Sequence, residues 1–243
     1  MSSSGTTAFE LTISDVVVEA FDRCFIRPSA LTRHHMTSAR RSANLELQSW
    51  TNRGVDLFQV AFATLEIQDG VSTYTTGTDD DEIPTDIQSM LDVYYSTING
   101  GGAGQDIDRI MLPISRTEYA GYPNKAQTGI PTVYWYQKLI SPQLTIWQPP
   151  VTGAPTNVIK YYYLRRIEDA SIAGGQTPDI PYRAIDAFCA GMARRLAKKF
   201  VTDKTLRDEI SKDATQAWIE FADADNEGTS VSISGDFSRY WGT

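Results

Sequence analysis

The chain has 243 residues, 41% of them apolar and 21% charged, which excludes wholesale disorder and fits one or two closely packed modules. Its 30 acidic residues outnumber 22 basic ones, and the formal net charge of −8 argues against the basic surface of a sequence-independent nucleic-acid binder. Two cysteines are too few for a disulfide scaffold, and no apolar run approaches the roughly 20 residues that span a bilayer. The first nine residues lack a basic segment followed by an apolar run, so no signal peptide is expected and assembly in cytoplasm is.

In chain order, a first helix is predicted from Ile13 to Phe25. Ile13, Val16, Val17, Ala20, Phe21 and Cys24 recur there at the three-and-four spacing of one buried face. Thr12 or Ser14 caps it, and Pro28 marks the break after it. A second helix is predicted from Thr32 to Asn52. Met36, Ala39, Ala43, Leu47 and Trp50 form its apolar stripe, with Arg33, Arg40, Arg41 and Glu46 off that stripe. Gly54 fits the left-handed position after the helix, and Val55 the apolar contact beyond it.

From Val55 the texture turns to β. Leu65 and Ile67 alternate with polar residues, and Asp69-Gly70 reads as a hairpin turn before Val71 to Thr75. The acidic run Asp79 to Glu82 precedes Pro84 and is placed in a loop. Strands are predicted at Met90 to Ser96, Arg109 to Ile114, Thr132 to Lys138, Leu144 to Trp147 and Val158 to Arg165, with a flexible tip at Gly100 to Gly104. Short strands at this spacing, punctuated by prolines, suggest an antiparallel barrel or sandwich.

Helices return after Pro178 and Pro181, with Asp179 as the expected cap. Ile185, Phe188, Cys189, Met192, Leu196 and Phe200 line one face of this third helix. Arg194, Arg195, Lys198 and Lys199 load its last turns with positive charge. Thr202 or Asp203 caps a fourth helix with Leu206, Ile210, Ala214, Ala217 and Phe221 inward. The predicted fold is α+β: an N-terminal helical hairpin (10–56), an inserted β module (57–170) and C-terminal helices (178–225) that complete one bundle with the hairpin. An extended tail (226–243) follows, rich in Gly, Ser and Thr but tipped by Phe237, Tyr240 and Trp241.

Chemistry is hard to find in this pattern. His34 and His35 are adjacent, so on a helix they diverge by about 100° and cannot share a metal as an i, i+4 pair would; they are read as solvent-facing. The acidic run lacks the alternating oxygens and glycine of a calcium loop. No metal, cofactor or catalytic residue is assigned. Cys24 and Cys189 are expected in the core. Tyr134-Trp135-Tyr136 and Tyr161-Tyr162-Tyr163 fit core or intersubunit packing, or a sugar-stacking platform, although at most two of each triplet share a sheet face. Arg165-Arg166, followed by Glu168-Asp169, fits either an intersubunit register contact or an ordinary charged strand exit.

Several segments, in order, resemble the head-to-tail adaptor proteins of tailed phages, the group that includes the tail tubular protein A of short-tailed viruses. They are 41–54 (RSANLELQSWTNRG), 91–95 (LDVYY), 114–125 (ISRTEYAGYPNK), 129–136 (GIPTVYWY), 159–169 (IKYYYLRRIED) and 178–200. The resemblance implies a structural, non-enzymatic protein of the virion neck. It would form a ring of twelve copies around the DNA channel, bind the portal protein and carry the next tail component (a nozzle or tube protein), while genomic DNA passes without specific binding. Phe237, Tyr240 and Trp241 are then candidate anchors for docking on the portal, the other reading being a tail folded back on its own helices. Arg165, Arg166, Tyr134 and Tyr136 are candidate intersubunit contacts. A carbohydrate-binding tail module is the alternative, and a cell-wall hydrolase would need a converging carboxylate pair that the sequence does not display.

Overall fold

A computed structural model of the protein describes residues 11–53, 57–97, 107–151, 157–171 and 175–224. The described helices are α1 (Ile13–Asp22), α2 (Arg33–Thr51), α3 (Arg116–Gly121), α4 (Ile185–Phe200) and α5 (Lys204–Ala224). The strands are β1 (Val60–Glu66), β2 (Thr73–Gly77), β3 (Ile83–Pro84), β4 (Ile87–Thr97), β5 (Ile107–Pro113), β6 (Val133–Gln137), β7 (Gln143–Trp147) and β8 (Asn157–Arg165). The chain divides into two compact units, one made of the segments up to Trp50 and from Asp169 onward, the other of Thr51–Glu168. The fold is α+β, with the strand-rich unit inserted in sequence between the helices of the two chain ends.

In the helical unit, α1 begins where Thr12 can satisfy orphan amides. The Asp15 N–H donates to Thr12 Oγ1 at 3.2 Å and the Thr12 N–H to Asp15 Oδ2 at 3.1 Å, a reciprocal capping box. Ile13, Val16, Val17, Ala20 and Phe21 form its buried face as the spacing predicts. The Cys24 thiol, just beyond, donates to the Ala193 carbonyl at 3.3 Å, tying the end of α1 to α4. Trp50 of α2 is fully buried against Phe188 of α4 and stacks on Phe221 of α5 at 5.4 Å. Asn44 holds the returning chain, its Oδ1 accepting from the Ala170 N–H at 2.6 Å.

Three expectations for these helices are corrected. Asp179 does not cap α4: a 3-10 turn at Tyr182–Ala184 intervenes, and the N-cap position is Ala184, which offers no side-chain acceptor. Pro181 starts that turn, so the proline signal was displaced by one short turn. His35 is not simply solvent-facing. Its Nδ1 accepts from the Thr32 N–H at 3.0 Å, and its ring lies 4.6 Å from Phe200, so it serves α2 as a glutamate serves a capping box. Glu46, read as off the stripe, is 1% exposed. Of the two caps expected for α5, Asp203 is the one used, accepting from the Thr205 N–H at 2.8 Å. The Gly54–Val55 helix stop, the Gly100–Gly104 tip and the tail beyond Ala224 lie outside the described residues.

The β unit is one eight-stranded, nearly closed sheet in the order β1-β8-β4-β5-β6-β7-β2-β3. Most neighbours are antiparallel, but the short β2–β3 and β5–β6 pairings are parallel. The Glu66 N–H at the end of β1 donates to Asp80 O at 2.8 Å, drawing the acidic loop toward the opposite end of the sheet order. Leu65, Ile83, Ile87, Leu144, Ile146 and Ile159 are fully buried in its interior. The Asp69-Gly70 turn exists, with Gly70 at φ +70°, but it does not make a hairpin. β1 pairs with β8, and β2 with β7. The turn residues set a local reversal, while the partner of each strand is chosen by burial elsewhere. Helix α3 was not anticipated, though Ser115-x-x-Glu118 is a capping box in sequence and structure.

Candidate interaction surfaces

The most polar construction inside the helical unit is centred on Glu46. Arg194 Nη2 donates to its Oε1 at 3.3 Å, Arg195 Nε donates to its Oε2, and Trp50 Nε1–H donates to Oε1 at 3.3 Å. Arg195 also reaches the Leu45 carbonyl at 3.0 Å. One turn earlier, Lys199 Nζ donates to Ser42 Oγ at 2.8 Å and Ser38 Oγ at 3.1 Å. The positive charge predicted to serve the C-terminal turns of α4 therefore also reads the length of α2. Gly191 makes room for the carboxylate, since a Cβ there would stand 2.5 Å from Glu46 Oε1. This clamp orients α2 against α4; with three donors on the carboxylate, it holds structure rather than substrate.

Both thiols are held neutral by burial. Burial pushes the Cys24 thiol up to about 11 and the Cys189 thiol up to about 12, so neither is a thiolate nucleophile near neutrality. In the acidic run, Glu82 accepts from the Thr78 N–H at 2.9 Å and the Asp79 N–H at 3.2 Å, and Asp81 accepts from Gln68. The carboxylates are thus building their own turn. Among the described residues no group of three His, Cys, Asp or Glu side chains is placed to hold a metal, and no helix is long and apolar enough to cross a membrane.

The residues singled out from sequence fall in different environments. Tyr134 is 4% exposed, its hydroxyl donating to the Leu91 carbonyl at 3.2 Å, and Tyr161 and Tyr163 share the same interior. Tyr136 is partly buried against that core, where desolvation pushes its phenol up to about 12. The strand period therefore places Tyr134, Tyr161 and Tyr163 inward, and leaves Tyr162 outside beside Phe62 with ring centroids 5.2 Å apart. Arg165 is half-buried and Arg166 exposed, with the Arg166 N–H held by Asp86 O at 2.8 Å. Phe237, Tyr240 and Trp241 lie outside the described residues.

Two surfaces escaped the sequence reading. In the helical unit, a cleft of about 550 Å³ opens between α1 and the start of α4, floored by Val18, Ile185 and Cys189 and rimmed by Asp15, Glu19 and Asp186. In the β unit, the outer face of β1-β8-β4-β5 carries exposed Phe62, Tyr162, Ile110 and Leu112. Their alternation with buried Leu65, Tyr161 and Met111 was a readable period-2 signal, but an outward apolar row looks the same as an inward one in sequence alone. No curated protein matches the chain. Outward apolar residues along the sheet offer a surface for contact, and a family model described as SU10 adaptor protein matches residues 12–232, so that the chain belongs to this family of phage structural adaptors.

Proposed function

We propose that the chain forms a ring below the portal of a tailed phage, binds the portal protein on one side and carries the next tail component on the other. The observation that carries this reading is the adaptor-family match across almost the whole described chain. A ring of about twelve copies would bury two different surfaces on every subunit, consistent with outward apolar residues on the β unit. The net charge of −8 suits a lumen past which DNA slides without being gripped. Assembly takes place in the host cytoplasm, and the finished protein sits in the virion neck.

The tail is assigned to portal docking, with Phe237, Tyr240 and Trp241 as anchors. Arg165 and Arg166, at the exit of β8, are assigned to contact with a neighbouring subunit, together with Tyr134 and the partly buried Tyr136 of β6. The test is mass measurement and negative-stain imaging of the purified protein, alone and mixed with its portal. A ring formed on the portal is the expected result. A protein that remains monomeric and ignores the portal overturns the reading. Removal of 226–243 should leave a folded chain that no longer binds the portal, whereas unchanged binding would return the tail to its own helices.

A further inference from the structure

Strand β5 is paired on both sides only at its end. Residues Ile107 to Met111 pair with Thr97 to Val93 of β4, while β6 meets β5 only at Leu112 and Pro113. The Leu112 N–H points to β6, donating to Thr132 O at 3.0 Å, and backbone groups of alternate residues point the same way. The N–H and C=O groups of Asp108 and Ile110 therefore face outward from the sheet, with no backbone partner among the described residues. The same reasoning applies to β1. Its Glu66 N–H points away from β8 to Asp80 O, so the backbone groups of Phe62 and Thr64 also point outward, again without a partner among the described residues.

These two edges bound one four-stranded antiparallel sheet, β1-β8-β4-β5. With four alternating strands, β1 and β5 run in opposite senses. A β5 edge from one copy laid against a β1 edge from the next, with both sheets oriented alike, meets it antiparallel. The side chains match as well. Thr64, Lys160, Tyr94 and Ile110 are successive cross-strand neighbours on the outer face, and Phe62 is paired with Tyr162 on that face. Ile110 is 63% exposed and Phe62 54%. Exposed edges without a backbone partner among the described residues, carrying large apolar side chains, invite another strand.

We infer that successive copies join head to tail by sheet continuation, the β5 edge of one subunit adding to the β1 edge of the next. This deepens, and rests on, the ring-adaptor reading. The outward-facing amides place Ile110 opposite Phe62 of the neighbour and Asp108 opposite Thr64. A shift by two residues toward Glu66 would demand an amide that Asp80 already occupies. The contact uses two different edges, so it is heterologous, and repeated rotation closes it into a ring.

The test uses full-length chains carrying Thr64→Cys or Asp108→Cys, both at exposed positions and with both native thiols buried. A directly opposed, hydrogen-bonded pair has Cα atoms about 5.5 Å apart, within disulfide reach. Oxidation is carried out on rings assembled with the portal and checked by imaging. Each variant alone should give no cross-linked dimer, an equal mixture should give dimers, and the double variant a ladder of higher species. Thr64→Pro, which removes one outward N–H and no intrachain one, should abolish rings while leaving circular dichroism unchanged. Rings that form without the mixed cross-link, or dimers from one variant alone, overturn the edge contact and leave the adaptor reading standing. Failure to form rings with the portal at all sinks the adaptor reading itself.

Discussion

Replacing Glu46 is the severest single test of how the helical unit is held together. Glu46→Ala removes the acceptor of two guanidinium donors and the Trp50 indole N–H, in a site where the carboxylate is 1% exposed. Breaking a buried ion pair by deleting one partner costs about 3–5 kcal/mol. The side chains of Arg194 and Arg195 retain 24% and 27% exposure and regain water when released, so the lower end applies, about 3 kcal/mol. That is about a 150-fold loss in the folding equilibrium. Glu46→Gln keeps the shape and one acceptor oxygen but loses the charge, for a cost of about 1.5 kcal/mol. In a urea titration followed by helical circular dichroism, with a slope of about 1.5 kcal/mol per molar, the midpoint falls by about 2 M for Ala and about 1 M for Gln. A double-mutant cycle with Arg195→Ala should show coupling of about 1–3 kcal/mol. An Ala variant within about 0.3 M of the parent midpoint would refute the clamp as a stabilising contact.

Further consequences can be checked by similar means. Gly191→Ala pushes a methyl group against the pinned carboxylate and should cost about 1–3 kcal/mol, so a neutral result would show the carboxylate free to move. Thr12→Ala removes the α1 cap and should cost about 1 kcal/mol in thermal unfolding; no change would mean the box is not populated in solution. The Tyr161 hydroxyl is buried with no hydrogen-bond partner among the described residues, so Tyr161→Phe should raise stability by up to about 1 kcal/mol, and a clear loss would reveal a partner. Unfolded thiols titrate at their ordinary value near 9, whereas folded Cys24 does so at about 11 and Cys189 at about 12. Their contribution is therefore intact below about pH 9 and is lost as pH rises through the folded values, a decline that Cys→Ala variants should flatten. Rapid thiol labelling of the native protein at neutral pH would contradict this burial.

Much of the fold was legible because single elements announce themselves. The α1 face of Ile13, Val16, Val17, Ala20 and Phe21 is a run of apolar side chains at helical spacing, with a capping threonine before it, and nothing distant is needed to read it. The same holds for β6 to β8, where aromatic and β-branched residues lie between prolines. The Asp69-Gly70 turn illustrates the limit. Its glycine adopts the left-handed conformation that the dipeptide favours, yet the strands on either side find partners 68 to 104 residues away in sequence. Local chemistry dictates that the chain turns; which edges then meet depends on the summed burial of two faces.

Glu46 shows the same limit at a single residue. Judged by its own helix, a glutamate beside an apolar stripe belongs in water, because burying it unpaired is prohibitive. What reverses the sign is a pair of arginines 148 and 149 positions away, together with a glycine that leaves space for the carboxylate. Arg194 and Arg195 had a sufficient local explanation at the positive end of α4, so nothing in their own segment asked for a partner. A buried pair of this kind adds little net stability over a well-packed apolar contact, but it penalises every alternative alignment of α2 on α4 that leaves a charge without its mate. Within the helical unit, alignment of α2 on α4 is the property that matters, and a charge that tolerates one register supplies it.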